Sequence, residues 1–381
     1  MYVLIVARGY PSERYKTNGI FEFDQAKALA NAGQKVIYAA IDVRSIRRTR
    51  KWGFESFKKE GVQIEAINIP CGRIPEIILN RIRIMALRKL YKHINNKYGQ
   101  PEIIHAHFLS YGYIAVKAFE KSNIPLVVTE HFSAMNKEKL NPRLFRLGKY
   151  VYPRVDKVIA VSNSLADNIK NKFGVDVLII PNLVDTTNFE YREEKKDKKE
   201  DRTFTFVSTG NLIKCKRMDL LIEAFNKVFK GNCKIKLYIF GEGPERDRLK
   251  KMIKNLGLEN QVFLMGLVDR KEIANRMSKS DCFVLASRRE TFGVAYIEAM
   301  AMGLPVIATQ CGGPEDFVTA ENGIIIPVDD RDALANALLM IYENIETYDR
   351  QAISVLTSKM FAPSTIAQQL IDVYKKCIKG R

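Results

Sequence analysis

One tryptophan, four histidines and six cysteines in 381 residues are few, and each scarcity removes a class of protein. Cys71, Cys215, Cys233, Cys282, Cys311 and Cys377 are scattered with no Cys-x-x-Cys among them, which excludes a zinc-type spacing and offers no disulfide framework. They read as reduced, mostly packed thiols. No apolar run reaches the roughly 18 residues of a membrane-spanning helix. The chain enters a strand at Met1-Tyr2-Val3-Leu4-Ile5-Val6-Ala7 without the basic and apolar regions of a secretion signal, so a cytoplasmic protein is expected. Short-period repeats and low-complexity tracts are absent too.

Negative charge is also in short supply, with 43 Asp and Glu against 61 Lys and Arg for a net charge of +18. The shortfall is one-sided. Residues 1–185 hold 30 basic against 16 acidic side chains, residues 186–381 hold 31 against 27. A basic half implies an anionic partner: a membrane surface, a nucleic acid or a phosphorylated substrate. The densest piece runs from Arg73 to Lys97, where Arg81, Arg83, Arg88, Lys89 and Lys92 interleave with Ile77, Ile78, Leu79, Ile82, Ile84, Met85, Leu87 and Leu90. That pattern suits a basic amphipathic helix lying on anionic headgroups, or equally a core-facing helix with a solvated cationic side. For nucleic acid there is neither a recognised motif nor an evident aromatic platform.

Charged residues at 27% and hydrophobic ones at 46% describe a soluble globular chain, and 381 residues exceed one ordinary core. Apolar strand candidates at Val3–Ala7, Val36–Ala40, Ile103–His105, Leu126–Thr129, Val158–Val161 and Val177–Ile180 alternate with helical stretches such as Phe21–Ala32 and Ala115–Lys121. A second series follows at Phe204–Ser208, Lys236–Phe240, Val262–Leu264, Cys282–Leu285, Val306–Ala308 and Ile324–Ile326. Alternation of this kind predicts two Rossmann-like parallel sheets, each covered on both faces. Between them, Tyr191 to Arg202 is a mixed-charge run without large aliphatics, so the boundary is expected there. The expected organisation is 1–185, a charged linker at 186–202, 203–361 and a final helix at 362–381.

In open α/β sheets ligands gather at the C-terminal ends of strands, which directs attention to the loops that follow them. The most informative stretch runs from Glu290-Thr291-Phe292-Gly293-Val294 through Glu298-Ala299-Met300-Ala301-Met302-Gly303-Leu304-Pro305-Val306-Ile307. Glu290 falls in a strand-to-helix loop, Gly293 at the apparent helix start and Glu298 about two turns into the helix. Unpaired N–H groups there, with the positive end of the helix dipole, suit a diphosphate. The two carboxylates can accept from sugar and ribose hydroxyls. Alone, two Glu eight apart read as solvated helix carboxylates; the Phe-Gly between them and the Glu-Ala-Met-Ala-Met-Gly-Leu-Pro-Val-Ile after them make the segment specific.

This segment resembles the Glu-x7-Glu motif of retaining glycosyltransferases of family 4, the group 1 glycosyl transferases. The resemblance implies an α/β chain of GT-B fold, two Rossmann-like domains facing each other across a cleft, with the last helix crossing back to the N-terminal domain. It assigns the acceptor to the N-terminal domain and the nucleotide sugar to the C-terminal one, with reaction between them after closure. By the same resemblance, Glu290 holds donor-sugar hydroxyls, Glu298 the ribose, and backbone groups of Phe292, Gly293 and Val294 the diphosphate. Ser208-Thr209-Gly210-Asn211 to Lys216-Arg217 is similar to the family's phosphate-side loop, where Arg often follows the glycine; Asn211 stands there, and Lys216 and Arg217 are the expected leaving-group cations. Gly241 resembles the turn beside the nucleotide, and Gly266 the backbone lining the base, with Arg270 following. Gly19, after Asn18 where the family commonly has a first glycine, resembles the N-terminal glycine loop; the glycine spacing there is not that of a nicotinamide-cofactor fingerprint. His131 resembles the family's cleft histidine near the transferred sugar, and otherwise reads as a strand-closing histidine. His105 and His107, two apart on one strand face, make a metal pair conceivable, but no third ligand is evident.

The reading is a metal-independent, retaining hexosyltransferase without cofactor, using a UDP- or GDP-linked sugar as co-substrate. The acceptor is expected to be a lipid-linked glycan in cell-surface polysaccharide or glycolipid assembly, with peripheral attachment at the inner face of the cytoplasmic membrane. A nucleotide-sugar epimerase of the same architecture is the alternative. A hydrolase using the Glu pair as acid and base fits less well, since hydrolytic carboxylates flank one bond and the second Glu lies inside a helix. A nucleic-acid-binding protein is supported by charge alone.

Overall fold

The first apolar run, β1 (Tyr2–Ala7), is buried at all six positions, as a parallel strand sheathed by helices on both faces must be. The computed structural model describes residues 1–13, 15, 18–45, 51–137, 139–192 and 203–381. Two units result, Met1–Leu183 with Pro363–Arg381, and Val184–Ala362.

In the first unit β1 is followed by α1 (Ile20–Asn31), β2 (Lys35–Ser45), β3 (Gly53–Lys59), β4 (Val62–Cys71), α2 (Glu76–Tyr98), β5 (Ile103–His107), α3 (Phe108–Ala118), β6 (Leu126–Glu130), α4 (Pro142–Val151), β7 (Lys157–Ala160), α5 (Asn163–Phe173) and β8 (Val177–Ile179). The sheet order is β3-β4-β2-β1-β5-β6-β7-β8, parallel except for β3 against β4. Connections reverse direction between β1 and β5.

Two strands were not in the sequence reading. β3 and β4 form a hairpin whose two-residue turn, Glu60 (φ 46°) and Gly61 (φ 84°), takes positive φ at both positions. The edge strand β3 is half exposed, and β4 carries the buried polar residues Glu65 and Asn68, so neither shows a clean apolar signal. The helix expected at Ala115–Lys121 begins seven residues earlier, at Phe108. That start has no side-chain cap and places Phe108 at φ 65°, so the usual entry signal is missing.

The second unit runs β9 (Phe204–Thr209), α6 (Met218–Phe229), β10 (Ile235–Phe240), α7 (Arg246–Leu256), β11 (Val262–Gly266), α8 (Arg270–Ser278), β12 (Cys282–Val284), α9 (Val294–Ala301), β13 (Val306–Thr309), β14 (Gly323–Ile326), α10 (Arg331–Glu343) and α11 (Arg350–Phe361). Its six strands are all parallel in the order β11-β10-β9-β12-β13-β14. The direction of winding reverses between β9 and β12, which makes the loops after those strands the natural ligand site.

The division between units falls at Leu183 and Val184, ahead of the charged run proposed as the linker. Residues 184–192 pack with the second unit: Val184 N–H donates to Phe361 O at 2.9 Å, and Phe189 is buried. The remainder of that linker, residues 193–202, lies outside the described residues. The final helix, α12 (Pro363–Lys379), returns to the first unit. Its Ile366, Leu370, Tyr374 and Cys377, spaced for one helix face, join the core formed by β1, β2 and α1. Tyr374 Oη also lies 2.6 Å from His105 Nδ1.

Candidate functional site

The loops after β9 and β12 meet over the reversal point of the second sheet. Lys216 ends a 3-10 turn at Lys214–Lys216, and its Nζ donates to Glu290 Oε1 at 2.5 Å. Ser287 Oγ donates to the same oxygen at 2.7 Å, and the Glu290 N–H is held by Cys311 O at 3.0 Å. Arg288 N–H bonds Cys215 O at 2.8 Å, so the two loops are also joined through backbone. Two site residues 74 positions apart in sequence thus become one ion pair.

Beside this pair α9 begins. Gly293, its N-cap, has φ 98°, and a Cβ there would stand 2.6 Å from the Tyr296 ring. No side chain caps the helix, so its first N–H groups remain available to an anion. The Phe292 ring is buried against Phe317 and Phe361, which leaves only its backbone for a ligand. Glu298 sits four residues after Val294, a little over one turn into the helix rather than two, because the helix starts only at Val294. Its carboxylate is buried and pairs with Arg270 Nε at 3.6 Å, and Arg270 Nη1 reaches Asp185 at 3.7 Å.

Three of the expected glycines are neighbours. Gly210 N–H donates to Phe240 O at 3.0 Å, and Gly241 N–H to Gly266 O at 2.8 Å. Asn211 is exposed at the mouth of the first of these loops, and Met265 and Leu267, 39% and 69% exposed, flank Gly266. Arg217 differs from Lys216 in its surroundings: Asp219 and Asp329 both engage its guanidinium. Ser287, Asp219 and Asp329 lie outside the sequence reading, because nothing in their local spacing separates them from ordinary loop and cap residues.

In the first unit the reversal point lies between β1 and β5. The Gly19 backbone, at φ 69°, is close enough to Gly9 O that a Cβ would stand 2.4 Å from it, and Tyr38 Oη donates to Gly9 O at 2.8 Å. Of the flanking loop, Thr17 is outside the described residues. His131 follows β6, with Nε2 3.1 Å from His107 Nδ1, so one imidazole N–H donates to the other ring. The Phe108 ring lies 5.0 Å from the His131 ring and beneath the Arg8 guanidinium. Burial, reinforced by Arg8, pushes the His131 pKa down to about 3, and the side chain of Asn182 works the other way without offsetting it. The ring is therefore neutral near neutral pH. Glu130 fixes the turn, accepting from the N–H groups of Leu109, His131 and Phe132 and from Tyr152 Oη; burial raises its pKa to about 7. His105 shares the strand with His107 but spends both ring nitrogens on Tyr374 and Thr129.

Comparison with known proteins agrees in both halves. The family described as Glycosyltransferase Family 4 matches residues 23–188, and Glycosyl transferases group 1 matches residues 190–354. N-acetyl-alpha-D-glucosaminyl L-malate synthase of Bacillus anthracis is 28% identical over 258 residues, 65% of this chain and 67% of that protein. The chain spans about half the length, 50–52%, of several further curated relatives that it matches. Sucrose-phosphate synthase of Thermosynechococcus elongatus superimposes with a TM-score of 0.82 at 20% identity, over 100% of both chains. Anabaena Alr3699/HepE in complex with UDP-glucose gives 0.74 at 18%, over 99% of this chain and 100% of that one. With both halves matched and the fold shared, the chain belongs to glycosyltransferase family 4, the group 1 glycosyl transferases of GT-B fold.

Proposed function

We propose that the chain is a retaining glycosyltransferase that moves a sugar from a nucleoside diphosphate to an acceptor hydroxyl without a metal ion. The observation that carries this reading is the Lys216–Glu290 pair set beside the uncapped start of α9 at the sheet's reversal point. Nζ of Lys216 and the N–H groups around Gly293 offer positive charge where a diphosphate needs it. Glu290 receives sugar hydroxyls, Glu298 the ribose, and the exposed apolar side chains flanking Gly266 the base. In the first unit, neutral His131 orients the acceptor or the sugar. The acceptor oxygen bonds to the anomeric carbon as the carbon–phosphate oxygen bond breaks, and the acceptor proton passes to the departing phosphate. Lys216 stabilises the charge left there, with Arg217 behind it. UDP or GDP is the expected carrier; a neighbour of the same fold holds UDP-glucose.

A thermal-shift screen with UDP, GDP and ADP tests the donor reading. A nucleotide at 100 times its Kd adds about 2.7 kcal/mol to the native state. For a unit of this size that raises its Tm by roughly 5–10 °C. No shift with any of the three removes the donor site. NMR of the product then separates the alternatives: retained anomeric configuration in a new glycoside supports the transferase, interconversion of the sugar nucleotide without acceptor the epimerase.

The proposal extends to an acceptor held at an anionic membrane surface, as in polysaccharide or glycolipid assembly. Among the described residues no helix is long and apolar enough to cross a membrane. The outer side of α2, however, shows Ile77, Ile78 and Met85 at 73%, 48% and 69% exposure, interleaved with exposed Arg81, Arg88, Lys89 and Lys92. Its one carboxylate, Glu76, is neutralised by Arg83 and Arg143. Each cation near a negative surface contributes about 1 kcal/mol. Co-sedimentation with phosphatidylglycerol-containing vesicles at low salt is expected, lost at high salt and weakened by Ile77→Glu with Met85→Glu; no sedimentation at low salt refutes membrane attachment.

A further inference from the structure

Among the described residues four non-glycine positions have positive φ, and the two in the second unit, Arg217 (φ 49°) and Asp329 (φ 60°), are ion-paired to each other. A left-handed backbone costs a residue with a side chain roughly 1–2 kcal/mol. Such strain persists where the surroundings over-determine it, and it gathers at functional sites.

Asp329 lies between β14 and α10. Its Oδ1 meets Nη1 of Arg217, and both of its carboxylate oxygens accept from Nε of Arg288, at 2.8 and 2.7 Å. Arg217 adjoins Lys216, and Arg288 precedes Glu290 by two residues. One carboxylate from a third loop therefore ties together the residues that flank the Lys216–Glu290 pair.

We propose that Asp329 is a positioning residue for the donor's diphosphate, acting through Arg217 and Arg288 to keep Lys216 and Glu290 in register. The inference rests on the donor-binding reading of that pair. Asp219 holds the opposite side of Arg217, with Nε 3.1 Å from its Oδ1, so the guanidinium serves the loop's geometry while Lys216 faces the ligand. The Asp329–Arg288 pair adds little stability, since its side chains are 40% and 49% exposed and ion pairs so placed are worth about 0–1 kcal/mol, while the more buried Arg217 keeps Asp219 when Asp329 is lost. Glycine adopts φ 60° without strain, so a glycine here forfeits the charge and relieves the backbone.

Asp329→Gly separates the two roles. Its Tm is expected to match or exceed that of the unsubstituted protein, while calorimetric affinity for UDP, with GDP and ADP in parallel, falls about tenfold. Asp329→Asn, which tolerates the left-handed region, is expected to lose affinity likewise, because the amide lacks the charge that clamps both arginines. Arg288→Gln combined with Asp329→Gly should bind no more weakly than the worse single variant, since both act through one contact. Unchanged affinity in Asp329→Gly, full affinity in Asp329→Asn, or losses that add in the double variant each overturn the proposal. A Tm drop in Asp329→Gly that accounts for its weaker binding makes the residue merely structural and overturns it too. Failure of the unsubstituted protein to bind any of the three nucleotides overturns the donor reading and this one together.

Discussion

Replacing Lys216 with alanine is expected to lower transferase turnover by about 10²–10³-fold, the loss typical of one preorganised donor to a developing anion. Charge on the departing diphosphate grows as the sugar–oxygen bond breaks, so the ammonium group matters more in the transition state than in the bound donor. The fall should therefore appear mainly in kcat. Folding is touched less. Lys216 and Glu290 side chains are 21% and 11% exposed, and without the lysine Glu290 keeps the Ser287 hydroxyl at 2.7 Å. Leaving a mostly buried carboxylate with one donor fewer costs about 1–2 kcal/mol, or a few degrees of Tm. Glu290→Ala should lose most turnover as well, through the sugar hydroxyls rather than the phosphate. Steady-state rates and thermal melts of both variants decide the matter: turnover near that of the unsubstituted protein in both strips the pair of its role, and a collapse of Tm by tens of degrees makes it structural.

The two sheets were legible because parallel strands buried on both faces leave continuous apolar runs, as at β1 and β9. The hairpin β3–β4 was not, since Glu65, Asn68 and the half-exposed edge interrupt that signal and the turn is Glu-Gly. Among the candidate site residues, Glu290, Gly293 and Glu298 are marked in the sequence by their common segment and Lys216 by its loop. Partners contributed by another loop stayed hidden. Ser287 supports Glu290, and Asp329 engages Arg217 across more than a hundred residues, and neither has a spacing to mark it. Lys216 and Arg217 look alike as adjacent cations in sequence, and their surroundings differ: Lys216 pairs with Glu290, Arg217 with Asp219 and Asp329. His131, legible either as a cleft histidine or as one closing a strand, is buried with Nε2 3.1 Å from His107 Nδ1, and burial holds its pKa low.

Gly241→Ala is expected to produce the largest loss of stability, about 3–5 kcal/mol, which for a unit of this size is roughly 10 °C in Tm. At φ 138° the backbone already disfavours a side chain, and the added Cβ would stand 1.9 Å from the carbonyl oxygen of Gly210. No rotation of a side chain relieves that contact, because both partners are main chain. The loops after β9, β10 and β11 are laced by Gly210 N–H to Phe240 O and by Gly241 N–H to Gly266 O, so moving one displaces the others. Nucleotide binding should fall with stability, since the loop that moves leads to Lys216. Gly257→Ala is the control for backbone strain without a clash: its φ of 69° lies in the left-handed region that side chains adopt at modest cost, and nothing lies within 4 Å of its Cβ. That variant should cost about 1–2 kcal/mol and leave UDP affinity unchanged. Equal Tm shifts for the two substitutions would mean that the loops do not meet at Gly241, and the donor site would lose the close main-chain packing on which its shape depends.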